Sequence, residues 1–163
     1  MDRENPEVIE LLKAENEFLA ESLSHLKPLE TTLYEEIKSR IVETDTSVPV
    51  RKDGWWYFDR TKEGLDYPIS CRVPVGGDAV TPPTIEPDVT LPGEQIILDE
   101  NAEAQGHDFL SVGILSVSPD DAWVAVGTDT SGNERHRLTI RSLTGGANYP
   151  DVLTDLYYGF VWA

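Results

Sequence analysis

Apolar residues in the first part of the chain recur at three- and four-residue steps, and from Ser47 onward they alternate with polar ones. Val8, Leu11, Leu12, Phe18, Leu19, Leu23 and Leu26 fall on one stripe of a helix. Asn5-Pro6-Glu7 supplies its start: a capping side chain, a proline where no amide partner is missed, and an acid facing the positive end of the helix dipole. Pro28 interrupts the run, and Leu29, Leu33, Ile37 and Ile41 resume it in a second helix that carries Glu35, Glu36, Lys38 and Arg40 on its wet side. Two helices have a thin core, so the pair is expected to dock on a larger body; a coiled-coil dimer is the alternative.

The period-two part opens with Val48, Val50 and Arg51, followed by Asp53-Gly54, a dipeptide suited to a type I′ hairpin with positive φ at both central positions. Trp55-Trp56-Tyr57-Phe58 predicts an aromatic strand, Glu63-Gly64 a turn, and Tyr67, Ile69, Cys71 and Val73 a third strand. From Pro74 to Gly93 prolines, glycines and threonines exclude a central strand and predict a loop of about 20 residues, read as an insertion in preference to a partner-contacting segment. Glu94–Leu98 predicts a short strand closed by Asp99-Glu100-Asn101. Leu110–Val117, Trp123–Gly127 and Leu138–Leu143 predict three more, with a proline turn at Ser118–Asp121. Tyr157–Trp162 reads as the start of a further strand.

The expected organisation is therefore a helical segment over 1–46 and all-β antiparallel meanders over 47–163. Two meanders about 50 residues apart are the pattern of propeller blades, which bury their faces only on neighbouring blades. A ring takes roughly four to eight blades, so the chain is expected to be part of something longer. A small β-sandwich is the competing architecture.

Composition narrows the function. A net charge of −17 argues against nucleic acid and anionic membranes as partners, because phosphate recognition needs clustered Lys and Arg. That charge is spread along the chain, which favours a solvated acidic surface over a field that steers basic peptides. An apolar content of 39% is too high for a disordered acidic chain. No apolar run has the length of a membrane span, and Met1-Asp2-Arg3-Glu4 lacks the pattern of a secretory signal, so a cytoplasmic location is expected. The single cysteine permits no internal disulfide.

Candidate chemistry is sparse. His25, His107 and His136 are read respectively as a helix-end, a turn and a strand-start residue, not as members of a catalytic triad. No Gly-x-Ser-x-Gly elbow occurs. Asp129, Ser131, Asn133 and Glu134 resemble the start of a calcium loop, but the twelve-residue pattern is not met, so they are expected to cap backbone amides. Cys71 is expected to be a packed apolar residue, and Trp55-Trp56 to belong to a sheet core. The expected site residues are none for catalysis, cofactor or metal.

One resemblance organises these signals. Ala14-Glu15-Asn16, Glu35-Glu36-Ile37, Arg40-Ile41, Glu43-Thr44-Asp45, Gly54-Trp55-Trp56-Tyr57, Tyr67-Pro68-Ile69, Leu98-Asp99-Glu100-Asn101, Gly106-His107, Val117-Ser118-Pro119-Asp120, Asp129–Glu134 and Trp162-Ala163 stand in an order and spacing similar to the opening of the oligopeptidase B branch of the prolyl oligopeptidase family of serine peptidases. The resemblance spans nearly the whole chain, with 74–93 as its main gap. It implies the first two blades of a seven-bladed substrate-filtering propeller and helices that dock on an α/β-hydrolase domain. It also implies an endopeptidase that cleaves short peptides after Arg or Lys with a Ser, Asp, His triad and no cofactor. The triad matches nothing here, so this chain alone is expected to be inactive, its partners being the remainder of its own polypeptide and short basic peptides. A non-catalytic interaction module that pairs its open blade edges with another protein is the alternative function.

Overall fold

The computed structural model describes residues 5–77 and 80–163 and divides into two compact units, Met1–Val42 and Glu43–Ala163. The expectations drawn from Met1–Glu4 lie outside the described residues. In the first unit, α1 spans Pro6–Ser22, and the Asn5 side chain accepts a hydrogen bond from the Glu7 amide at 2.9 Å, as the cap requires. A 3-10 turn over Ser24–Leu26 leads into α2, Lys27–Lys38. Pro28 does not separate the helices; it sits in the first turn of α2, where its missing N–H has no carbonyl to serve. No residue of α1 or α2 is buried, and Leu11, Phe18 and Ile37 are 60%, 68% and 62% exposed. The apolar stripe exists, but within this unit nothing covers it.

The second unit holds two antiparallel sheets. In the first, β1 (Asp45–Thr46) and β2 (Val50–Lys52) both pair with β3 (Trp55–Thr61), which continues to β4 (Ile69–Pro74) and β5 (Gln95–Asp99). Because Asp45 and Thr46 already pair with Thr61 and Arg60, the β unit begins earlier than the change of periodicity suggests. The β2–β3 hairpin does turn at Asp53-Gly54, but Asp53 alone is left-handed, at φ 53°. Gly54 is not left-handed, so the two positive φ values of the expected I′ turn are not both present. After β5 the Asp99 carboxylate caps a short helix, α3 (Glu100–Glu103), and the Asn101 amide bonds both backbone groups of Tyr67, at 2.8 and 3.0 Å.

The second sheet runs in sequence order through β6 (Ser111–Val117), β7 (Trp123–Asp129), β8 (His136–Ser142) and β9 (Val152–Leu156). Neighbours in sequence are neighbours in space, as blades require and the Greek-key connections of a sandwich do not. The last strand corrects the expectation: Val152–Leu156 pairs with β8, whereas Tyr157–Trp162 is not a strand. Asp155 (φ 61°) is a left-handed irregularity within β9, and Gly159 (φ 114°) lies beyond the end of that strand. The aromatics beyond them cross the sheet instead of extending it: Phe160 and Trp162 pack on Ile114, Ala125 and Leu138, and Trp162 Nε1 donates to Ser116 Oγ at 3.1 Å.

β7 is covered on both faces. Val124 and Val126 join Val117 and, from the first sheet, Ile97 and Leu98, while Ala125 faces the aromatic segment. A glycine sets the packing of the next strand pair: the β6–β7 register shifts between Val112 and Ile114, and a Cβ on Gly113 would lie 2.2 Å from His136 Nε2. A polar strut joins the sheets, since Arg141 on β8 donates to both carboxylate oxygens of Glu103 at 2.6 and 2.8 Å.

Gly113→Ala is expected to cost about 2 kcal/mol through this overlap, whereas Gly76→Ala, which would meet nothing within 4 Å, leaves the urea midpoint unchanged. Arg141 hydrogen bonds hold the Glu103 carboxyl below its ordinary 4.5, more than offsetting the burial that raises it. A folded-state value below the unfolded one means that the pair contributes fully above about pH 4.5 and fades as pH falls through the lowered value. Glu103→Gln should therefore lower stability by about 1 kcal/mol at neutral pH. The gap to the wild type should close on acidification below about pH 4.5, as read by melting temperature across pH.

Candidate functional site

The described residues converge on the seam between the two sheets. A groove of about 360 Å³ opens there, lined by Val50, Lys52, Tyr57 and Ser70 from the first sheet and Leu115 and Val117 from the second. Lys52 Nζ donates to the Val117 carbonyl at 3.4 Å, and Tyr57 Oη donates to Asp121 Oδ1 at 3.4 Å. Burial pushes the Tyr57 phenol above its ordinary value, so it stays protonated and available as a donor.

Arg72 of β4 is the centre of this seam. Its side chain is 2% exposed, and its guanidinium lies 4.0 Å from the centroid of the Trp55 ring. Nε donates to Gln95 Oε1 and Nη2 to the Asp121 carbonyl, both at 2.9 Å, while Nη1, 3.9 Å from Asp121 Oδ1, has no hydrogen-bond partner. Asp121 presents its carbonyl and carboxylate from a left-handed backbone, φ 60°, in the β6–β7 turn. The Trp55-Trp56 pair is thereby divided: Trp56 packs with Phe58, Cys71 and Val73, and Trp55 covers a cation.

The sequence candidates stand apart from one another. His25 lies on the exposed 3-10 turn, with Nδ1 3.1 Å from the Ser22 carbonyl. His107 closes the turn after α3, its amide donating to the Ala104 carbonyl at 3.0 Å. His136 opens β8 as expected but is 1% exposed, 5.1 Å from the Tyr158 ring, with Nδ1 unpartnered. Among the described residues no serine hydroxyl hydrogen-bonds a histidine, and no cluster of three or more His, Cys, Asp and Glu is placed to hold a metal.

Asp129 is occupied by its own loop. Its carboxylate accepts from the amides of Ser131, Gly132 and Glu134 at 2.8 to 3.0 Å and from the Ser131 hydroxyl at 3.0 Å. Those bonds, led by the Ser131 amide, hold its pKa below the ordinary carboxylate value. Cys71 is 1% exposed in the Trp56 cluster, and burial pushes its thiol up to about 12. Sequence reasoning missed Arg72 and Arg60. An arginine within the apolar run Ile69–Val73 was a signal for the first; nothing local marks the second, whose partners lie on a distant loop.

This geometry can join and orient sheets; among the described residues no serine, histidine and acid stand together as a triad. The family described as "Prolyl oligopeptidase, N-terminal beta-propeller domain" matches residues 1–163. Dipeptidyl aminopeptidase BI of Pseudoxanthomonas mexicana is 38% identical over 99% of this chain and 22% of its own length. Oligopeptidase B from Leishmania major superposes with a TM-score of 0.81 at 28% identity, covering 99% of this chain and 21% of that one. Oligopeptidase B from Trypanosoma brucei, with covalently bound antipain, gives 0.75 at 32% identity over 93% of this chain and 20% of that one. The chain thus spans about a fifth of the length of these relatives. Two sequential antiparallel meanders stacked through one apolar seam, preceded by a helical unit and matched throughout by one family, place this chain in the prolyl oligopeptidase family as its N-terminal β-propeller region.

Proposed function

We propose that this chain is the N-terminal part of an oligopeptidase-B-like serine endopeptidase that cleaves short peptides after Arg or Lys. In this reading residues 47–163 supply the first two blades of the substrate-filtering propeller, and the helices of 1–46 dock on the catalytic α/β-hydrolase domain. The observation that carries it is the likeness to oligopeptidase B, with 28% and 32% identity across nearly the whole chain. The uncovered apolar stripe of α1 and α2 supports the docking role, because Leu11, Phe18 and Ile37 need a partner surface to leave water. The triad, the acidic pocket for a basic side chain and the bond-breaking chemistry belong to the remainder of the polypeptide, in the cytoplasm. This chain contributes no catalytic, cofactor or metal residue.

A second reading has its own support. The relative at 38% identity is a dipeptidyl aminopeptidase, which favours a complete enzyme that acts from the free amino end of its substrate. The two readings share the fold of this chain and differ in what the catalytic domain accepts.

Two fluorogenic amides separate them when tested on the complete natural polypeptide. An amino-blocked arginyl amide is expected to be cleaved, and a free-amino dipeptidyl amide without Arg or Lys is expected to be left intact. The reverse pattern establishes the aminopeptidase reading. Residues 1–163 alone should turn over neither substrate above buffer; turnover by that piece would place a catalytic centre here and end the proposal. Loss of both activities in the complete polypeptide would leave the interaction module.

A further inference from the structure

The loop between β4 and β5 is closed on itself at its neck. Gly93, left-handed at φ 79°, approaches Pro74 so tightly that an added Cβ would lie 3.2 Å from the proline ring. Two apolar side chains of the loop, Ile85 and Leu91, pack against the cluster of Trp56, Phe58, Cys71 and Val73. Asp78 and Ala79 lie outside the described residues. The segment is therefore folded onto the first sheet along its second limb.

One guanidinium does most of the polar work. Arg60 on β3 donates from Nε and Nη2 to the two carboxylate oxygens of Glu94 at 3.0 and 2.9 Å. Nη1 donates to the carbonyls of Glu86 and Pro87 at 2.6 and 2.7 Å, and Nη2 also donates to the Val89 carbonyl at 2.6 Å. Every nitrogen of the fork is engaged, the two side chains are 11% and 5% exposed, and the Phe58 ring lies 5.1 Å from the guanidinium carbon. Glu94 in turn accepts from the Leu91 amide at 2.9 Å. The three loop carbonyls belong to no ladder; that of Glu86 also accepts from the Val89 amide, and the Arg60 guanidinium gathers all three. A lysine, with a compact ammonium in place of a planar fork, cannot reach all of these acceptors together. Arg60, Cys71, Val89, Glu94 and Ile96 line one cavity of about 210 Å³, so Cys71 borders this knot on one side, as it borders the seam groove on another.

We propose that Arg60 and Glu94 form a latch that holds the 86–94 limb shut over Cys71, and that releasing it uncovers the thiol while the sheet beneath stays folded. The latched and open states differ in one compact set of bonds. Opening breaks the Arg60 bonds to three carbonyls and one ion pair, whereas the β3–β4 ladder, whose register runs from Trp55↔Pro74 to Arg60↔Ile69, is made by other groups. This inference does not depend on which substrate the complete enzyme accepts.

The test uses Arg60→Lys and Glu94→Gln in the complete natural polypeptide, with N-ethylmaleimide at neutral pH and peptide mapping of the adduct on Cys71. Hydrogen exchange is followed in parallel at the Val89 and Glu94 amides, whose acceptors are the Glu86 and Leu91 carbonyls, and across β3 and β4. Both variants are expected to label Cys71 at least tenfold faster than the wild type and to lose protection in the 86–94 limb, with β3 and β4 unchanged. Unchanged labelling at Cys71 overturns the proposal. So does faster exchange that spreads equally through β3 and β4, because the latch would then be inseparable from the sheet.

Discussion

The apolar seam between the two sheets is the contact on which the β unit depends. Ile97 and Leu98 from the first sheet meet Val117, Val124 and Val126 from the second, and all five are buried. A four- or five-stranded sheet has two faces to remove from water. Burying a side chain of this size contributes roughly 1.5 to 3 kcal/mol, and the sheets obtain that contribution from one another. Arg72, Glu103 and Arg141 then fix the relative placement that the apolar contact alone would leave free to slide, because hydrogen bonds have direction and apolar burial does not.

The same logic explains the odd behaviour of the last residues. β7 presents Val124 and Val126 to one side and Ala125 to the other, so the second sheet needs a cover on its far face. Phe160 and Trp162 supply part of it by crossing the sheet, with the indole N–H satisfied by Ser116. In a propeller that face is where the following blade packs. The helical unit poses the same problem more acutely: its stripe has correct periodicity and a correct cap, yet no buried residue. Helix propensity and capping are local, whereas the removal of Leu11 or Phe18 from water requires another surface.

Much of the second unit was legible because strand signals are local and alternate in phase with the pleat. Trp56, Phe58, Cys71 and Val73 carry the period-two pattern and form one buried cluster. The bulge at Gly113 changes the phase of β6: Val112 on one side of it packs with the cluster of Val117 in the seam, whereas Ile114 on the other packs with Ala125 and Leu138. That bulge exists to seat His136, a residue more than 20 positions away, so its cause could not be read locally. The Tyr157–Trp162 run had the composition of a strand but not its backbone: Gly159 is left-handed, and Phe160 and Trp162 pack on the face of the sheet instead of extending its edge.

The amino-acid pattern by itself determined that a helical segment precedes antiparallel strands, which positions of the Trp55–Phe58 and Ile69–Val73 strands share a face, and that no Gly-x-Ser-x-Gly elbow is present, because each of these depends on residues a few positions apart. Only the tertiary structure decided which charged residues are buried and what they hold. Arg60 and Arg72 are both arginines in strands of one sheet, but one binds a loop through three carbonyls and the other ties two sheets through a turn. Carbonyl acceptors carry no side-chain signature, and so the roles of these cations appear only when distant segments of backbone are brought to the same place.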